Sequence, residues 1–94
     1  MAFARVVFFE GVSKARIEEL KREIEEGDRP ADVPATEILI LHDPEGEKSL
    51  AILLFETEDG YRRGDETLNA MPTEDTPGRR TSVAKYEVAV RATR

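Results

Sequence analysis

The sequence has no cysteine, no tryptophan and a single histidine, His42, in 94 residues. Without cysteine, no disulfide can reinforce a small core and no thiolate can hold a metal. The same lack fits a reducing cytoplasm. No apolar run approaches the ~20 residues that a membrane-spanning helix needs. The opening stretch MAFARVVFF is apolar but short, and Arg5 and Glu10 interrupt or end it, so it does not read as a leader peptide. Basic residues are outnumbered, 14 against 20 acids, for a net charge of −6. That balance argues against a nucleic-acid partner, because phosphate binding needs a basic surface. The expectation is one soluble, cytoplasmic domain over residues 1–94, with no membrane contact, metal or cofactor.

The charge is unevenly spread. Residues 79–94 carry five basic groups and one acid, Glu87; the remainder carries nine basic groups and nineteen acids. A basic terminal strand on an acidic body favours docking onto a second copy of the chain. The plainer alternative is a solvated strand edge, where lysine and arginine guard against unwanted pairing.

Residues 2–10 (AFARVVFFE) are rich in β-branched and aromatic side chains and read as a strand. Phe3, Val7 and Phe9 point to one side, and Ala4, Val6 and Phe8 to the other. Ser13 is a good N-cap for a helix over 14–26, whose Ile17, Leu20 and Ile24 form one apolar stripe. Gly27 supplies the stop. Residues 28–35 hold two prolines and two aspartates without periodicity and read as a loop. Strands follow over 36–42 and 48–56, joined through Asp43-Pro44-Glu45-Gly46, the residue order of a type I turn. Both strands alternate Leu, Ile, Ala and Phe on both sides. Thr57 caps a second helix over 58–71, with Tyr61, Gly64, Leu68 and Met71 on one stripe. A loop over 72–78 leads to a last strand over 81–91. Its Ala84, Tyr86, Val88 and Val90 share one side, and the other side is mixed.

The order β-α-β-β-α-β, closed by right-handed crossovers, gives an α+β ferredoxin-like sandwich. Its four-stranded antiparallel sheet has the order 4-1-3-2. Two helices cover one side of such a sheet, yet three of the strands are apolar on both sides. Leaving several hundred Å² of that surface wet forfeits on the order of 10 kcal/mol at roughly 25 cal/mol per Å². This is comparable to the entire stability of a small domain. The simplest cover is the same side of a second copy, since two-fold dimers are the commonest oligomers. A large apolar ligand or another protein is the alternative.

This element order, the two-sided strands and the charge-rich first helix resemble a dimeric α/β barrel. The stretches Phe55–Thr73 (FETEDGYRRGDETLNAMPT) and Thr76–Arg91 (TPGRRTSVAKYEVAVR) resemble those of the antibiotic-biosynthesis-monooxygenase-like superfamily, nearest its uncharacterised bacterial members. The resemblance implies a homodimer with the two sheets packed into a barrel. It also implies, where members are active, oxygenation of an aromatic polyketide or quinol without metal or flavin. Haem-degrading members use an Asn, a Trp and a His. Here there is no Trp, the first strand has no Asn, and His42 stands at a strand end. The haem-degrading role is therefore excluded, and the quinol-oxidising role is left without identified residues.

Six residues are candidates for a site. His42 is the only side chain that ordinarily titrates near neutrality, which suits acid–base catalysis; its plainer reading is a half-solvated strand end beside Asp43. Tyr61, Asp65 and Asn69 recur at i, i+4 and i+8 and suit the fixing of a polar substrate between helix and sheet. Otherwise Tyr61 is core and the other two face water. Arg5 and Tyr86 lie on neighbouring strands and suit the orientation of a phenolate or carboxylate. Otherwise Tyr86 is core and Arg5 meets an acid across the dimer. Three functions stay open: a dimer binding a small aromatic or apolar molecule in the cleft between sheet and helices, a cofactor-free monooxygenase, and a structural or interaction dimer without ligand.

Overall fold

Strict alternation of apolar side chains fixes the centre of the molecule. The computed structural model describes residues 2–27, 33–70 and 78–92. Its elements are β1 (Phe3–Glu10), α1 (Lys14–Glu25), β2 (Glu37–Asp43), β3 (Lys48–Phe55), α2 (Glu58–Asn69) and β4 (Arg79–Glu87). The strands form one antiparallel sheet in the order β2-β3-β1-β4, the ferredoxin-like arrangement expected from the element order. Both helices are capped as anticipated. The Ser13 hydroxyl accepts from the Arg16 amide at 3.2 Å, and Thr57 accepts from the Gly60 amide at 3.0 Å.

Register decides which side chains share a side. Val7 stands opposite Ala51 and Val83, and Arg5 opposite Leu53 and Lys85. Ile38 stands opposite Leu53 and Ile40 opposite Ala51. This side carries the core of Val7, Phe9, Val12, Ala51, Leu53, Phe55 and Tyr61. Tyr61 meets Phe55 edge to face, with centroids 5.6 Å apart and planes at 71°. α2 packs closely because Gly64 has no Cβ: one placed there would lie 2.5 Å from the Phe55 ring. α1 sits more loosely. It has no fully buried residue, and an apolar cleft of about 240 Å³ runs between its Ile17, Leu20 and Ile24 and the Ile38 and Ile40 of β2.

Among the described residues, no helix lies on the opposite side. Across it lie Leu39 and Leu41 of β2, Leu50, Ile52 and Leu54 of β3, Ala4, Val6 and Phe8 of β1, and Ser82, Ala84 and Tyr86 of β4. Phe8, Leu39, Leu41 and Tyr86 are exposed. Charge is confined to its ends, with Asp43, Lys48, Glu10 and Arg79 in cross-strand register at one of them.

Several details go beyond or differ from the sequence expectation. The last strand begins at Arg79 rather than Thr81, because Arg79 pairs with Glu10 through both backbone register and an ion pair. Between Phe8 and Phe9 the register slips: Phe8 faces Ser82 and Phe9 faces Arg80, leaving Thr81 as the bulged residue, its hydroxyl donating to the Phe8 carbonyl at 3.2 Å. The strand also ends at Glu87, not Arg91. In the β2–β3 connection the left-handed conformation falls on Glu47 (φ 52°) rather than on a glycine. Its carbonyl is held by the Val12 amide at 2.7 Å, which compensates the unfavourable backbone.

Beyond Glu87 the chain crosses the end of the sheet. Val88 donates its amide to Ala2, and Arg91 reaches the far side, donating to Glu56 at 2.9 Å and to Glu37 at 3.1 Å. The hydrogen bond from Arg91, with a second from Thr36, holds the Glu56 carboxyl below its ordinary pKa of 4.5. A depressed carboxyl pKa contributes stability above its ordinary value, and the contribution is lost as pH falls through the lowered one. We expect ¹³C NMR titration of Glu56 to give a midpoint below 4.5 in the wild type and a return towards 4.5 in Arg91→Gln.

Candidate functional site

A guanidinium in the middle of a central strand is the most unusual polar feature of the fold. Arg5 is 3% exposed and lies among Phe3, Val7 and Leu53 on the helix side of the sheet. A buried charge is costly unless it is paired and hydrogen-bonded. α2 supplies both partners from successive turns of one stripe. Arg5 Nε donates to Asp65 Oδ1 at 2.8 Å, and Arg5 Nη2 donates to Asn69 Oδ1 at 3.0 Å. Their spacing of four residues puts Asp65 and Asn69 one above the other, as a helix requires. Tyr61 is one turn earlier. Burial, with the nearby Asp65 carboxylate, raises its phenol above the ordinary value of 10.0, against a smaller opposing effect of Arg5.

β4 completes the cluster. Arg80 donates to the same Asn69 Oδ1 at 3.0 Å. The Lys85 ammonium sits 5.0 Å from the ring centroids of both Phe3 and Tyr61, within cation–π range, and 3.6 Å from Glu58. Tyr61, Asp65, Asn69 and Arg5 thus come together, and Arg80 and Lys85 join them. From the sequence alone the adjacent Arg79 and Arg80 could bind an anion or simply solvate a loop, but neither Arg80 nor Lys85 is joined to this group. The signal for Lys85 is its cross-strand position opposite Arg5. For Arg80 there is none, since strict alternation back from Val83 and Lys85 puts Thr81 on this side and Arg80 on the other; only the bulge reverses them.

Three expectations are corrected. Tyr86 does not act with Arg5: it stands opposite Ala4, so it points from the other side of the sheet, and it is 55% exposed rather than core. Arg5 meets its acid within the chain and needs none from a partner. Asp65 and Asn69 are not merely solvated, since each is bonded to Arg5. His42 lies apart, at the end of β2, where Nε2 donates to the Val12 carbonyl at 3.0 Å. It borders an open hollow of about 480 Å³ with Phe8, Leu41, Leu50 and Thr81.

In chemical terms the Arg5 cluster offers positive charge and hydrogen-bond donors. Arg5 and Asp65 neutralise each other, and the raised Tyr61 phenol keeps its proton at neutral pH. Among the described residues, no three His, Asp or Glu side chains lie close enough to hold a metal, and no helix is long and apolar enough to cross a membrane. No protein-family model matches the chain, and no curated protein matches it.

Proposed function

We propose that the chain works as a homodimer in the manner of the dimeric α/β barrels it resembles. In this reading the two open sheet faces pack together, and each subunit binds a small, partly apolar molecule beside α2, at the β4 edge of the sheet. The observation that supports it most is the uncovered side of the sheet. Four strands at roughly 4.8 Å spacing and eight residues at roughly 3.3 Å give a face of roughly 19 by 26 Å. With side-chain relief this approaches the ~800 Å² per partner of a standard interface. Its interior carries no charge and its end carries a mixed row of acids and bases, the apolar centre and polar rim typical of interfaces. A two-fold axis through such a face sets like apolar rows against each other and lets acids meet bases at the rim.

Binding is favoured over oxygenation by the chemistry of the Arg5 cluster, in which hydrogen-bond donors and cations predominate and the Asp65 carboxylate is engaged by Arg5. Sedimentation velocity tests the dimer. The wild type is expected at twice the chain mass at micromolar concentration, and Leu39→Lys, an exposed position midway along the edge strand β2 on the open face, as a folded single subunit or as aggregate. A wild type that stays a well-folded single chain at tens of micromolar would sink the proposal. Oxygen uptake with a panel of hydroquinones is expected to be flat; turnover would favour the oxygenase instead.

A further inference from the structure

Two guanidinium groups converge on one neutral oxygen. Arg5 Nη2 and Arg80 Nη1 each donate to Asn69 Oδ1 at 3.0 Å, so the two nitrogens are no farther apart than two such bonds laid end to end. Among the described residues, the charged partners of these cations are two: Arg5 meets Asp65, and Lys85 meets Glu58. Asp65 holds Arg5 by Nε, which fixes the plane of the guanidinium and turns its outer edge towards Asn69 and Arg80. A carboxylate at that point makes charge-assisted bonds to both arginines, roughly twice as strong as those of a neutral amide.

The surface beside the pair is apolar. Val83 faces the helix side, opposite Val7, yet it is 38% exposed: α2 packs chiefly over β1 and β3 and reaches β4 through the side chains of Arg80 and Lys85. Val83 is therefore the floor of a shelf between α2 and the β4 edge, with Arg80 and Asn69 at one end and Lys85 at the other.

From this geometry we infer that the bound molecule is a small carboxylic acid, its carboxylate between Arg5 and Arg80 in place of the Asn69 amide and its apolar body on Val83. The inference rests on the proposal that a small, partly apolar molecule binds beside α2, and it names that molecule's class and seat.

Phenylacetate and its neutral amide, phenylacetamide, form a matched pair for the test, with binding followed by backbone amide shifts of Val83 and Lys85 in NMR titrations. Phenylacetate is expected to bind at least about tenfold more tightly than the amide, a difference of about 1.4 kcal/mol. Arg80→Gln, at an exposed position, is expected to bring the acid down to the level of the amide. Asn69→Asp places a carboxylate between the arginines permanently and is expected to abolish the acid's binding while raising the melting temperature. An amide that binds as well as the acid, or an acid indifferent to Arg80→Gln, would overturn the carboxylate inference and leave ligand binding beside α2 standing. If neither probe shifts these resonances at millimolar concentration, both readings fall together.

Discussion

Asp65→Ala is expected to destabilise the protein by about 2–3 kcal/mol, measured by urea denaturation, although Asp65 lies at the margin of the structure. The cost arises at Arg5 rather than at Asp65. With the carboxylate gone, a guanidinium that is 3% exposed keeps Asn69 as its acceptor from α2 and loses the anion it pairs with. Breaking a fully buried ion pair costs roughly 3–5 kcal/mol; the Asp65 side chain is 32% exposed, so water partly replaces it and the lower range applies. Arg5→Met is expected to cost much less, because it removes the buried charge itself and leaves an aspartate that water can solvate. The double variant should then regain most of what Asp65→Ala loses. A coupling energy of at least about 1 kcal/mol in this cycle is the expected signature. Additive single effects would show that Arg5 is hydrated and that its pairing with α2 contributes little.

Gly64→Ala is expected to destabilise by about 1–3 kcal/mol even though alanine is the better helix former by roughly 1 kcal/mol. The added methyl would lie 2.5 and 2.6 Å from two carbons of the Phe55 ring, distances at which something must shift. Phe55 is wholly buried and held edge-on by Tyr61, so the ring has no free direction in which to yield. α2 must rise from the sheet, and with it Asp65 and Asn69 retreat from Arg5. Thermal denaturation of Gly64→Ala, with and without Phe55→Leu, checks this, and the smaller side chain should recover part of the loss. Gly60→Ala is the control. Its methyl would meet only the Thr57 hydroxyl within 3.4 Å, and a change within about 0.5 kcal/mol is expected. If both glycine variants behave alike, the close approach at Phe55 is not what seats α2.

The sequence made the sheet legible because its strands repeat apolar residues at a period that only a two-sided strand uses. Val7 and Phe9 against Val6 and Phe8, or Leu53 and Phe55 against Leu50 and Leu54, leave little choice of element. The caps Ser13 and Thr57 were equally readable, since each hydroxyl acts on an amide three residues on. The fourth strand was harder. Arg79 and Arg80 after a glycine look like loop, and their place in the sheet comes from pairing with Glu10 and Phe9, far away in the chain. Its C-terminal end was overrun because Val88 and Val90 continue the alternation of Tyr86, while the chain in fact turns away towards Glu37 and Glu56. Met71, on the expected stripe of the second helix, and residues 72–77 of the expected loop over 72–78 lie outside the described residues.

The candidate cluster was legible in its members but not in its grouping. Spacing along one helix joined Tyr61, Asp65 and Asn69 correctly. Nothing local joined them to Arg5, which was set with Tyr86 because the two occupy neighbouring strands. Neighbouring strands place residues together only when the register gives both the same side, and here it pairs Arg5 with Lys85. His42 drew notice for its titration range, yet its ring is spent on a backbone carbonyl at the other end of the sheet.

The chain's last described stretch has a mechanical consequence. Arg91 fastens the strand at one margin of the sheet to Glu37 at the opposite margin, like a buckle closing a belt. A tether pulling on the carboxyl end therefore loads two ionic contacts before it can unzip β4 from β1. Because these contacts lie in solvent, dissolved salt weakens the buckle while leaving the apolar layer beneath it intact.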